Sequence, residues 1–138
     1  MERLQIEFPK NILFTTHLVV RITDLNYGGH LANDKVLSLA HEARVRFLES
    51  LGYTEFDLEG VGIIMADAAI QFKSEAFAGS NIQVDIAVPE TSKVGFSMYY
   101  RMHIDGKEVA LIRTNLVCFD YKIRKITSLP VKALAHWI

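Results

Sequence analysis

Residues Asp24 to Asn33 read DLNYGGHLAN and place an acid, two amides, two adjacent glycines and a histidine within ten positions. These residue types suit attack on a carbonyl carbon. His30 offers a nitrogen that takes a proton near neutral pH, or an N–H that donates to an oxyanion. Gly28 and Gly29 carry no side chain, so their amides can approach a ligand oxygen closely. The same pair equally suits a tight turn that needs positive φ, and a loop histidine often serves only as a hydrogen-bonder. Asp24 can orient His30 or cap the loop backbone. Asn26 is neutral at pH 7: its amide can hold a water or a carbonyl oxygen, but it cannot take a proton and is a poor nucleophile.

The elements on either side must position this loop. FTTHLVVRIT (Phe14 to Thr23) is short, β-branched and partly alternating, which predicts a strand. After the loop, Val36, Ala40, Ala43, Phe47 and Leu51 recur at helical spacing. Asn33 is the expected N-cap and Gly52 the expected stop. Such a helix begins with unpaired amides at a positive dipole end, a ready site for a developing oxyanion. Downstream the period changes to two, and GIIMADAAIQFKS, NIQVDIAVPET, KVGFSMYYRMHI and KEVALIRTNLVCFDY all predict strands. Asp105-Gly106 predicts a two-residue hairpin of type I′. Pro89 is expected to close a strand or sit on an edge. LPVKALAHWI is expected to be a strand end or a helical turn.

One helix and five antiparallel strands predict an α+β fold, with the sheet curled around the helix and its outer face left for a partner or solvent. Apolar residues pointing both ways in GIIMADAAI and ALIRTNLVCF favour a partner, so at least a homodimer is expected, and a tetramer is compatible.

With 138 residues the chain suits a single domain, residues 1–138. Its 15 basic and 16 acidic residues are scattered, which gives no reason to expect nucleic acid. The N-terminus lacks a signal-peptide pattern and no apolar run is long enough to span a membrane, so a cytoplasmic protein is expected. The one cysteine, Cys118, excludes an internal disulfide or a thiolate metal cluster in one chain and sits in an apolar run as a small hydrophobe. No metal and no organic cofactor is implied.

Four stretches in order resemble the hot-dog fold of the 4-hydroxybenzoyl-CoA thioesterase and acyl-CoA thioesterase type. TDLNYGGHLANDKVL resembles D-x-D-x-x-G-H-[VL]-x-N before the helix, and HEARVRFLESLGY resembles E-x-A-R-x-x-F-L within it. AAIQFKSEAFAGSNIQVDI resembles the family's strand-turn-strand, and DYKIRKITSLP its closing D-x-x-t-g-[RK]-x-x-x-[IL]-P. The resemblance covers Thr15 to Pro130 and implies a sheet wrapped around one long helix, two protomers paired, and hydrolysis of an acyl-CoA or acyl carrier protein thioester.

The family's usual nucleophile or base is the second acid of D-x-D, and this chain has Asn26 there. The resemblance implies a catalytic role for His30 and keeps the first acid as Asp24, which orients His30 or caps the loop; carboxylate chemistry does not carry over to Asn26, whose expected part in catalysis is to hold a water or the thioester carbonyl by hydrogen bonds. It also points to Glu75, which falls where plant acyl-ACP enzymes carry an acid and is expected to face the partner's loop. Glu75 equally reads as an exposed turn acid. Glu42 reads as structural, paired with a cation or a buried backbone group. Tyr27, Leu31, Met65 and Phe72 are candidates for an apolar acyl tunnel, whereas Ile64 is expected in the core. Gly28 and Gly29 are expected to polarise the thioester carbonyl, and Lys73 and Lys93 to meet coenzyme A phosphates.

Two other activities fit the same fold. The hydratase pattern D-x-N-P-[LIV]-H also begins with Asp and Asn, but it has a proline that DLNYGGH lacks and a histidine one residue earlier. A non-catalytic acyl-CoA-binding protein would keep the pocket and lose the carboxylate.

Overall fold

The computed structural model describes residues 1–137. Strand β1 (Phe14–Val19) leads through a 3-10 turn (Ile22–Asp24) and the loop into helix α1 (Asn33–Ser50). Strands β2 (Gly62–Phe72), β3 (Asn81–Thr91), β4 (Gly95–Ile104) and β5 (Lys107–Asp120) follow. A two-residue strand β6 (Lys125–Ile126) and a short helix α2 (Val131–Leu134) close the chain. The sheet is antiparallel in the order β1-β3-β4-β5-β2, with β6 paired to β5. The predicted five strands are present, and β6 adds a sixth. This is the hot-dog arrangement that the sequence pattern implies.

Helix α1 buries Val36, Leu39, Ala40, Ala43, Phe47 and Leu48. Ala40 and Ala43 are fully buried, so small side chains let the sheet lie close to the helix. Against them lie alternate residues of the middle strands: Ile82, Val84 and Ile86 of β3; Met98, Tyr100 and Met102 of β4; Ala110, Ile112 and Leu116 of β5. At roughly 1.5–3 kcal/mol for each large apolar side chain, this burial is the main drive for the fold. Gly95 allows the closest strand approach, because a Cβ there would lie 2.1 Å from the Leu116 carbonyl oxygen.

Bulges bend the sheet around the helix, between Met65 and Asp67, Ala87 and Glu90, and Met102 and His103. Pro89 sits at the second of these. β1 pairs with β3 only as far as Ile86, so Pro89 withholds no amide from β1. Asp105 (φ 48°) and Gly106 (φ 84°) both have positive φ, as a type I′ turn demands. The helix stops at Gly52 (φ 80°), with the Gly52 amide donating to the Glu49 carbonyl (3.0 Å) and the Tyr53 amide to that of Leu48 (2.8 Å).

Some expectations change. β1 ends at Val19, because the chain turns into the 3-10 segment instead of continuing to Thr23. Ala32 occupies the N-cap position and makes no side-chain cap, so Asn33 is the first helical residue. Ile64 is 37% exposed, since it lies on β2, the last strand of the sheet. Glu42 does pair with a cation, as expected, and that cation is Arg46 (3.4 Å); the buried Arg44 donates to Glu55 (2.9 Å) and to the Tyr100 hydroxyl (3.0 Å). Cys118 is buried, and that burial pushes its thiol up to about 11. Among the described residues no helix is long and apolar enough to cross a membrane, and no group of three or more His, Cys, Asp or Glu could hold a metal.

Candidate active site

Two local structures build the site, and each is pinned by its own backbone. Asp24, at the end of the 3-10 turn, is buried and accepts from the Arg21 amide (2.8 Å) and the Arg21 guanidinium (3.2 and 3.1 Å). The guanidinium hydrogen bonds hold its carboxyl below the usual carboxylate range, against the opposing pull of burial. Asp24 therefore caps the backbone. Its carboxylate bonds only Arg21 among the described residues, and it does not orient His30.

Residues Asn26 to His30 then form a closed turn. The Asn26 amide donates to the His30 carbonyl (2.9 Å), and the Gly29 amide to the Asn26 carbonyl (3.1 Å). The Asn26 side-chain oxygen accepts from the amides of Gly28 (3.0 Å) and His30 (3.2 Å). Gly29, with φ 83°, supplies the left-handed step. The Gly28 and Gly29 amides are thus already hydrogen-bonded inside the loop, where the sequence suggested that they would face a ligand. The unpaired donors lie further on. With Ala32 as an N-cap that offers no side chain, the Asn33 and Asp34 amides have no partner among the described residues.

The segment after β2 comes up against this loop. The Leu31 amide donates to the Ala76 carbonyl (2.8 Å), and His30 forms a bridge with Phe77. The Phe77 ring lies 5.2 Å from the imidazole, centroid to centroid. That clamp delivers Glu75 to the histidine of its own chain, with His30 Nδ1 3.2 Å from Glu75 Oε2. Glu75 thus meets the loop histidine of its own chain. The imidazole is 35% exposed and the carboxylate 65% exposed, so the pair opens to solvent.

A cavity of about 330 Å³ lies beside them and is lined by Asn26, His30, Leu31, Asn33, Phe72 and Glu75, among others. The sequence singled out five of these six for chemistry or substrate contact, and Asn33 only as a cap. Asp24, Gly28 and Gly29 do not line it, nor do three of the expected substrate contacts. Tyr27 is fully exposed. Met65 faces a separate hollow of about 260 Å³ with Ser38, His41 and Arg44. The Lys73 ammonium sits 4.0 Å from Glu108 and borders a different cavity. Another cavity, of about 450 Å³, lies between β1 and the outer face of α1 and contains neither His30 nor Glu75. The His30–Glu75 pair is therefore beside the smaller of these two.

Phe77 was not foreseen, because only the folded turn brings it over His30. Nor was Glu55, whose carboxylate holds Arg44 and also meets His41 (2.6 Å). Burial raises its pKa, but hydrogen bonds from His41 and Arg44 outweigh this and hold the carboxyl below its ordinary range.

Comparison with known proteins agrees with the fold. A 1,4-dihydroxy-2-naphthoyl-CoA hydrolase of Microcystis aeruginosa is 29% identical over 123 residues, covering 87% of this chain and 88% of that protein. A 1,4-dihydroxy-2-naphthoyl-CoA thioesterase structure from Synechocystis superposes with a TM-score of 0.80 at 22% identity, covering 89% of this chain and 93% of the other. A gentisyl-coenzyme A thioesterase structure superposes with a TM-score of 0.81 at 17% identity, covering 91% of this chain and 100% of the other. The sequence pattern of the thioesterase-like superfamily matches residues 20–138, nearly the whole chain, and the protein belongs to that superfamily.

Proposed function

We propose that this protein hydrolyses the thioester of an acyl-coenzyme A, with His30 as general base and Glu75 as its orienting acid. The observation that carries this reading is the 3.2 Å contact between His30 Nδ1 and Glu75 Oε2 at the mouth of the cavity. With Nδ1–H donated to the carboxylate, Nε2 keeps a lone pair and takes a proton from water as its oxygen attacks the carbonyl carbon. The developing oxyanion lies against the unpaired Asn33 and Asp34 amides at the positive end of α1. The carbon–sulfur bond then breaks, and the imidazolium returns its proton to the departing thiolate. Asn26 Nδ2 is left free while Oδ1 holds the loop, and it donates to the attacking water or the carbonyl oxygen. Coenzyme A is favoured over a carrier protein because the similar proteins above are named for CoA thioesters.

The working form in this reading is a homodimer paired through β2. That strand ends the sheet, Ile64 to Ala68 are all exposed, and Met65 and Phe72 are 42% and 47% exposed. A bare apolar edge of this length invites pairing. A two-fold axis that joins a strand to its own copy makes the pair antiparallel.

Thiol release from a panel of 1,4-dihydroxy-2-naphthoyl-CoA, gentisyl-CoA, benzoyl-CoA and short aliphatic acyl-CoAs tests the activity. Turnover should fall more than tenfold in His30→Ala and rise in Asn26→Asp. Turnover indifferent to His30→Ala would remove this residue from the mechanism. Tight acyl-CoA binding without hydrolysis would leave the protein a carrier.

A further inference from the structure

The first 13 residues form neither helix nor strand, yet they take a defined course across the outer face of the sheet. One row of paired residues marks that course from β1 to β2: Thr15, Asp85, Arg101, Leu111 and Gln71. At one end the Leu13 amide donates to the Ile86 carbonyl of β3 (2.8 Å). At the other the Ile6 amide donates to the side-chain oxygen of Gln71 on β2 (3.0 Å). Between these anchors Phe8, Pro9 and Ile12 share a cavity of about 480 Å³ with Arg101 and Leu111. The segment therefore runs across the strands and reaches β2, the last of the sheet, at Ile6. The alternation of Leu4, Ile6 and Phe8 turns one side of an extended segment toward the sheet. Ile6 and Phe8 are half-buried there, whereas Leu4 is 48% exposed and overhangs the edge.

In the pairing proposed above, the next strand beyond β2 is that of the partner subunit. The outward-facing positions of β2 are Gly62, Ile64, Asp67, Ala69 and Gln71, because the bulge after Met65 shifts the alternation. An antiparallel two-fold reverses this set about Asp67 and places Gln71 opposite Gly62 of the partner subunit. What stands over Gly62 is aromatic. A Cβ added there would come within 2.4 Å of the Tyr121 ring, so that ring lies on the same outer face. Phe56 adjoins it, with ring centroids 5.6 Å apart, and the two are 76% (Phe56) and 44% (Tyr121) exposed. Two residues of extended chain carry the segment ~6.6 Å from Ile6 to Leu4, and a paired strand lies ~4.8 Å beyond β2. Leu4 thus arrives over the partner's ring pair.

Charge suits the same placement. Glu2 and Arg3 form no ion pair among the described residues, and neither do Lys122, next to Tyr121, and Asp57, next to Phe56. Each charge on the segment therefore has an opposite one at the ring pair. We propose that residues 2–4 of each chain form an arm that docks on Phe56 and Tyr121 of the partner subunit, with Leu4 as its apolar contact. The exchange is reciprocal, so two arms clasp one dimer. Docking covers apolar surface that one protomer leaves bare on both sides of the seam.

This inference rests on the pairing through β2 and is independent of the thioester chemistry. Cys118 is buried, so introduced cysteines report alone. Full-length Leu4→Cys and Phe56→Cys chains with different tags are co-expressed and oxidised with diamide. A disulfide-linked heterodimer should form in the mixture, while either variant by itself should give no covalent dimer. Asp67→Cys, at the two-fold, should link to its own copy and so reports the β2 pairing separately. Linkage at position 67 with none between positions 4 and 56 overturns the arm and leaves the pairing standing. Linkage at neither place, or a monomer by light scattering of the unaltered protein, overturns both. Sedimentation equilibrium guards against a disulfide that merely traps a passing contact. Leu4→Asp should raise the dimer dissociation constant at least tenfold with the urea midpoint of the monomer unchanged, and an unaltered constant overturns the arm. Thiol release from acyl-CoA by the unaltered protein is scored apart, since either result there leaves the disulfides to decide the arm.

Discussion

Replacing His30 with alanine, Glu75 with glutamine, and then both, should reveal a pair that acts as a unit in catalysis while contributing little to folding. The carboxylate is 65% exposed and the imidazole 35%, so screening by solvent limits their contact to about 0–1 kcal/mol of stability. Thermal midpoints of the variants should accordingly move by only a few degrees, roughly 2–8 °C per kcal/mol at this size. A positioned base is worth about 10²–10⁴ in rate, so His30→Ala should raise the barrier by roughly 2.7–5.5 kcal/mol. Glu75→Gln keeps the shape and removes the charge that fixes the imidazole, so it should lose part of that rate. The double variant should be no slower than His30→Ala alone to within about threefold, because the acid has nothing to orient once the base is gone. The assay is kcat/KM by thiol release for all four proteins, with urea unfolding alongside. Losses that multiply would refute the pairing as a catalytic unit. Urea midpoints that fall in step with activity would show that the contact is structural.

The core makes further commitments. Glu55→Ala should cost about 3 kcal/mol in urea unfolding, at the lower end for an uncompensated buried charge, because Arg44 is 5% exposed and keeps only the Tyr100 hydroxyl. Arg44→Met should cost less, since Glu55 retains His41, and the reverse ranking would count against this account. Asp24, Glu55 and Asp85 all have carboxyls held below their ordinary range, Asp85 by Gln83, Thr15 and His103 against the opposing pull of burial. A depressed folded pKa means that the contribution is present above the unfolded value and is lost as pH falls through the folded one. Stability should therefore decline below about pH 4, and the decline should be shallower in Asp85→Asn when followed by unfolding at each pH. Gly95→Ala should destabilise by about 1–3 kcal/mol or more, because the new methyl meets backbone that cannot move aside. Gly29→Ala, with open space around it, should cost only about 1 kcal/mol of backbone strain by the same unfolding measurement.

The parts of the fold that the sequence reveals are those fixed by near neighbours. Helical spacing from Val36 to Leu51, the Gly52 stop and the Asp105-Gly106 turn each act within a few residues, and each holds in the structure. What escapes sequence reading depends on distant closure. Glu75 meets His30 because the Leu31 amide reaches the Ala76 carbonyl, 45 positions away, and no periodicity encodes that bond. Arg44 was visible in the helix, but its partner Glu55 lies beyond the Gly52 turn, in a loop with no pattern of its own. The misplaced helix cap has a similar origin. Asn33 has the right side chain for a cap, but the bridge of Leu25 to Leu31 and the bond from the Ala32 amide to Asp24 fix the loop one residue earlier.

That loop also explains how an amide can stand where related proteins are expected to carry an acid. A carboxylate at position 26 would have two tasks, accepting backbone amides and accepting a proton. Asn26 performs the first in full, through the single oxygen that bonds Gly28 and His30. In the mechanism proposed above, the second falls to the His30–Glu75 pair, which the turn itself brings together. Asn26→Asp should therefore keep the turn, since Oδ1 accepts the same two amides, and convert the outward Nδ2 into a second oxygen able to take a proton. Turnover should rise while the urea midpoint stays within about 0.5 kcal/mol of the parent, the usual range for an exposed substitution. The added acid should also relieve the need for the pair, so His30→Ala should cost less in the Asn26→Asp background than in the parent. A fall in turnover with the fold intact would mean instead that the Nδ2 donor holds the reacting water or carbonyl, and that position 26 works by hydrogen bonding alone.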